Sequence, residues 1–188
     1  MPPKLGSCGP DDKSVLIRIE FNVDDVLDSE GVTITVCHDS TLSSTLWSQH
    51  TLYNEIETKD TGNNRPSFDP EYFDFDVDHF YKMETQRETM AELVGSQSLA
   101  DQYIGDQSSQ LFLSRGHLAP NADFIFYSWQ DSTYWFINVA PQWQSFNGRH
   151  WNQLENACRN LAADRGNDLV VYTGMKRYKG LKCQFMLS

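Results

Sequence analysis

SRGHLAPNADFIFYSWQDSTYWFINVAPQWQSFNGRHWNQLENACR occupies Ser114 to Arg159. Inside it, Tyr134-Trp135-Phe136-Ile137 is a short apolar run of strand character, and Trp151, Leu154, Cys158 and Leu161 recur at helical spacing. The spacing predicts a helix from Arg149 to Ala163 with one buried stripe, in which Trp151 and Leu154 are core. Glu155 and Arg159 lie four apart on the flank of that stripe, acid before base, the favourable order for a helix pair. Asp164-Arg165-Gly166-Asn167 ends the helix. Asp168 to Thr173 (DLVVYT) then reads as a strand buried on both faces. The order is strand, loop, helix, strand. Ahead of it, Arg115-Gly116-His117 reads as a turn that presents its imidazole instead of burying it. Alone that tripeptide says little, because a single histidine is more often a satisfied surface or core residue.

Working toward the N-terminus, a helix is expected from Glu84 to Val94 on its helix formers. Asp60 to Pro70 (DTGNNRPSFDP) is loop chemistry, and the acidic, aromatic stretch Tyr72 to Phe80 has no clean period. Val15 to Phe21 and Val32 to Cys37 are rich in β-branched residues and read as an antiparallel strand pair. The 188 residues, 39% hydrophobic and 13% aromatic, suffice for one packed core. An α+β domain with a mixed or antiparallel central sheet and packed helices accounts for this pattern. It divides into a β-rich segment, 1–64, a core, 65–174, and a divergent tail, 175–188.

The formal net charge is −11, from 26 acidic and 15 basic residues, the wrong sign for holding nucleic acid by bulk electrostatics. A hydrolase that must release its product needs only a local basic patch, and carboxylates coexist with a divalent cation. Cys8, Cys37, Cys158 and Cys183 form no CxxC pair, which argues against a zinc knuckle. Two disulfides and four free thiols are both compatible with their spacing. No apolar run approaches the ~18 residues of a spanning helix, so no membrane partner is expected, and the N-terminus lacks the apolar core of a secretory signal.

The string SRGHLAPNADF, then INVAPQ (Ile137 to Gln142), then Asn147, Trp151, Glu155 and Arg159 at preserved spacing, strongly resembles the DNA/RNA non-specific endonucleases, the ββα-metal or His-Me finger enzymes. The resemblance runs from about Arg65 to Gly174. It implies a sequence-independent nuclease that hydrolyses phosphodiester bonds of DNA, RNA or both, with Mg²⁺ as cofactor or Mn²⁺ or Ca²⁺ in its place. Residue by residue, His117 matches the general base, and a neutral imidazole with an ordinary pKa of about 6.5 suits that task. Asn147 matches the single direct protein ligand of the metal, and Glu155 a residue that holds water around the ion. Arg115 and Arg159 match groups near the phosphate, where a guanidinium can pair with two oxygens. Asn138 matches a supporting polar group, and Arg87 is the nearest candidate for an upstream phosphate-binding arginine.

Two departures stand out. Ser114 replaces the usual Asp, and the tail KRYKGLKCQFMLS does not resemble the further sheet strands with which the family continues. From this follow two expectations: that strand 168–173 lacks a neighbour and drives a homodimer or larger species, or poor solubility, and that the alternative function is a truncated or degenerate relative which binds nucleic acid or a protein without cutting. Family habit and the cysteines favour a secreted enzyme over a mitochondrial or cytosolic one.

Overall fold

The alternating N-terminal third folds as an antiparallel meander of β1 (Lys4–Ser7), β2 (Ser14–Glu20), β3 (Thr33–Asp39) and β4 (Ser44–Leu52). The computed structural model describes residues 4–9, 13–20, 33–62, 64–176 and 182–187. The predicted pair is therefore observed, while its outer ends at Phe21 and Val32 lie outside the described residues. Side chains alternate across a pleated strand, so Ile17 and Ile19 on β2 and Ile34 and Val36 on β3 share one face and bury together against Ala119, Phe124 and Ile137. On the other face of β3, Cys37 is joined to Cys8 in a disulfide spanning 29 residues of sequence, which ties the edge strand to the sheet.

Beyond the meander come α1 (Met83–Val94), α2 (Gln97–Tyr103), β5 (Leu113–His117), α3 (Tyr127–Asp131), β6 (Val139–Trp143), α4 (Gln144–Phe146), α5 (Asn152–Arg165), β7 (Leu169–Lys176) and β8 (Lys182–Leu187). The helix expected from Glu84 to Val94 is α1, closed by Gly95 at a φ of 67°. The six-stranded sheet runs β1-β2-β3-β4-β7-β8 and every pairing in it is antiparallel. A separate two-stranded hairpin pairs β5 with β6.

Strand 168–173 does have neighbours on both sides, β4 and β8. The second comes from the tail that resembles nothing in the family pattern, and Cys183 lies in it at register with Met175. Tyr134 to Ile137 is not a strand. Phe136–Asn138 forms a single 3₁₀ turn, and the strand begins one residue later, at Val139. α5 begins after a wide π-type turn, Asn147–Trp151, which buries Trp151, and α5 itself buries Cys158, Arg159 and Ala162. Leu154, expected in the core, is 37% exposed, because the wide turn rotates the helix so that Cys158 and Ala162 face Leu52, Ile56 and Val171 instead.

Candidate active site

Arg115, Gly116 and His117 lie on a strand and not in a turn, since β5 pairs with β6 in register Arg115↔Pro141, Gly116↔Ala140 and His117↔Val139. Glycine is required in the middle. A Cβ there would come within 2.5 Å of the Gln142 side chain, which is itself buried and cannot swing away. Gln86 of α1 anchors the start of the hairpin by accepting from Leu113 N at 2.8 Å and donating to Leu113 O at 2.9 Å.

His117 closes β5 with its ring against Phe68 and edge-on to Tyr134, at 5.3 and 5.2 Å between centroids. It is half-buried, not solvent-facing. Its Nε2 is shielded and has no hydrogen-bond partner. Burial first, and the nearby positive charge of Arg65 second, lower its pKa to about 4, so the ring is neutral across the physiological range.

Asn138 is fully buried. Its Oδ1 accepts from Ala119 N at 2.9 Å, and its Nδ2 donates to Ala119 O at 2.9 Å and Thr133 O at 3.0 Å. Its amide therefore clamps the chain at Ala119, two residues beyond His117, to the Thr133 carbonyl. Asn147 opens the π-type turn, a distortion that recurs at functional sites. Its Nδ2 donates to Ser114 Oγ at 3.1 Å, which leaves the amide oxygen as its ligating end. Ser114 Oγ in turn donates to Gln142 O at 3.1 Å. Glu155, in the first turn of α5, has its pKa raised to about 7 by burial and then by the charge of Asp123, against the opposing pull of Arg159 and a hydrogen bond from Trp151.

These groups converge on one cleft of about 560 Å³, walled by Arg65, Ser114, Arg115, His117, Asn147 and Glu155 among others. Arg115 pairs with Asp78 and lies 5.0 Å above the Tyr81 ring. Arg65, which the sequence reading passed over, enters from the 60–70 loop. The one signal for it was a lone basic residue in a segment otherwise neutral or acidic, next to Pro66.

Three predicted site residues lie elsewhere. Arg159 is buried behind the cleft, donating to Asp123 Oδ1 at 2.5 Å and Asn156 Oδ1 at 2.9 Å. Asp123 Oδ2 is also 2.9 Å from His50 Nε2, on the central strand β4. Arg87 donates to the carbonyls of Ile104 and Gly105 and so fastens α1 to the end of α2. Asn138, as above, supports the His117 segment from beneath.

Oxygen donors from Asn147, Glu155 and Ser114 border the same cleft, a hard donor set that suits Mg²⁺, which keeps most of its own waters. Among the described residues there is no group of three or more His, Cys, Asp or Glu able to cage a metal. A neutral imidazole, an amide oxygen and two guanidinium groups around one cleft are groups suited to attack on a bound anion.

A family model described as DNA/RNA non-specific endonuclease matches residues 16–179. The chain belongs to this family. A salivary endonuclease of Lutzomyia longipalpis is 35% identical over 142 residues, 74% of this chain and 33% of that protein. Salivary protein Tsal1 of Glossina morsitans morsitans is 31% identical over 101 residues, 53% of this chain and 23% of that protein. The chain thus spans about a third or less of the length of these relatives. A chain of the solved EndoG/EndoGI complex aligns with a TM-score of 0.48 at 20% identity, over 90% of this chain and 64% of that one. The antiparallel sheet, the packed helices and the β5, β6 and α5 arrangement are the α+β architecture that the resemblance implied.

Proposed function

We propose that this chain hydrolyses phosphodiester bonds of DNA, RNA or both without reading base sequence, with Mg²⁺ or a similar divalent ion, and that it acts outside the cell. The observation that carries the reading is the meeting of His117 and Asn147 across one cleft, held by the β5–β6 hairpin and the π-type turn. The Cys8–Cys37 disulfide and the salivary relatives support the extracellular setting.

In this mechanism Arg65 and Arg115 receive the phosphate, and water attacks phosphorus from the His117 side. The water oxygen bonds to phosphorus, its proton passes to the neutral imidazole, and the bond to the 3′ oxygen breaks, that oxygen taking a proton from solvent. A pKa of about 4 makes a weak base in the free protein. The arriving phosphate offsets the charge of Arg65, the second cause of that depression, and so recovers part of the ring's basicity, while burial, the larger cause, persists. Asn147 and Glu155 would hold the divalent ion, which neutralises phosphate charge and eases departure of the 3′ oxygen.

Plasmid DNA and total RNA incubated with and without chelator test the proposal. Cleavage is expected only with the divalent ion, and His117→Ala should lower the rate by on the order of 10²-fold or more with the fold intact by circular dichroism. Near-normal turnover in that variant removes His117 from the chemistry.

A further inference from the structure

A second cavity, of about 720 Å³, shares Ser114, Arg115 and Gln144 with the catalytic cleft as a common wall. We propose that it seats the nucleotide adjoining the scissile phosphate in an unpaired strand, an inference that rests on the nuclease reading above. Its far wall comes from the start of α1, and Phe112 and Gln107 border it from the approach to β5.

The electrostatics favour an anion here, on a chain that is acidic overall. Lys82, Arg87 and Arg115 border the cavity, and Glu84 is the one acidic residue among the described residues that line it, in a chain of net charge −11. Arg87 is held by neutral carbonyls, so its positive charge is not cancelled by a carboxylate partner. Arg115 borders both cavities from its perch over Tyr81, and its shielded Nε has no hydrogen-bond partner. Its guanidinium is paired with Asp78, so a phosphate in either cavity would share it with that carboxylate.

The remaining chemistry suits a base. Phe112 supplies an aromatic face, and the Gln107 and Gln144 amides can each donate or accept, which accommodates any base edge and matches cleavage without sequence preference. The volume is ample for one nucleotide within the usual range of roughly 300 to 1,000 Å³ for ligand sites. A base can enter such a recess only when it has left its stack, so a paired, stacked duplex is excluded from it.

Binding of a short fluorescein-labelled oligothymidylate in chelator, followed by anisotropy, tests this without hydrolysis. Phe112→Ala should weaken binding at least about fivefold, the lower end for loss of one stacked base. Lys82→Ala, at an exposed position, should reduce the slope of log Kd against log salt by about 0.7, the value for one phosphate contact on a single strand. Glu84→Gln should tighten binding. The inference is overturned if neither Phe112→Ala nor Lys82→Ala changes Kd or its salt slope, or if a hairpin duplex of equal length binds as tightly as the unpaired strand. Wild-type protein that binds the strand but does not cut it when Mg²⁺ is supplied would defeat the hydrolysis reading and leave this subsite standing.

Discussion

Ser114 and Asn147 show how a side chain in the cleft is set by its neighbour. The Ser114 hydroxyl accepts from Asn147 Nδ2 and donates to Gln142 O, so it fixes which end of the Asn147 amide is free to ligate. Asn147→Ala should raise the Mg²⁺ concentration for half-maximal cleavage by at least about tenfold, since even supporting groups around metal ligands carry 10- to 100-fold effects. Superimposable metal titrations of variant and parent would place the ion elsewhere. Glu155 adds a pH dependence whose sign follows from its raised pKa. Below about 7 the carboxyl holds its proton, a cation must displace it, and apparent Mg²⁺ affinity should fall by up to about tenfold per pH unit. Above about 7 it should level off. Calorimetric titration on either side of that point checks this, and a flat profile would mean that Glu155 does not meet the ion. His117, Asn147 and Glu155 were singled out by the family resemblance of their motif, and they border one cleft. Arg65 was not, because a loop residue reaches a site through tertiary folding that leaves no period to read.

At the scale of elements, the His-bearing segment and α5 are fastened together by Asp123, which takes Arg159 from α5 on one oxygen and His50 from β4 on the other. All three side chains are nearly or wholly buried. The pair Glu155 and Arg159, which helical spacing suggests as a surface ion pair, is therefore divided between cleft and interior. Asp123→Asn keeps the shape and removes the charge, leaving the buried Arg159 guanidinium with only the Glu155 carboxyl to offset it. The expected cost is about 3 to 5 kcal/mol, which lowers Tm by on the order of 10 °C in a chain of this size. A thermal unfolding curve within a degree or two of the parent would show that the network carries little. The helices were readable, α1 from its formers and α5 from its stripe of Trp151 and Cys158. The two strands of the hairpin were not, since LSRGH and VAPQW carry glycine, proline and polar residues where strand propensity looks for β-branched ones, and their place is held from outside by Gln86 and Asn138.

On the scale of the molecule, sheet closure decides whether an acidic, disulfide-tethered domain remains a single body. Four strands from the first 52 residues, β7 and β8 make the sheet, so the catalytic hairpin and α5 pack on a scaffold drawn from both ends of the chain. The Cys8–Cys37 bond closes a 29-residue separation. In the chain-entropy account that restricts the unfolded state by about 3 to 4 kcal/mol, so reductant should lower Tm measurably. An unchanged Tm would mean that the bond contributes nothing to the fold.

The edge of β7 is the sharper case. The expectation of self-association followed from a buried strand with an open side, and that side is occupied by β8 through six register pairs from Val171↔Leu187 to Lys176↔Lys182. Deleting residues 177–188 would expose the unpaired groups of β7 to a second copy. Light scattering should then report dimers or larger species for the shortened chain, in contrast to the intact one at the same concentration. If both scatter alike as monomers, β8 is dispensable to the sheet. If both associate alike, the contact between copies lies elsewhere, and the edge of β7 is not its cause.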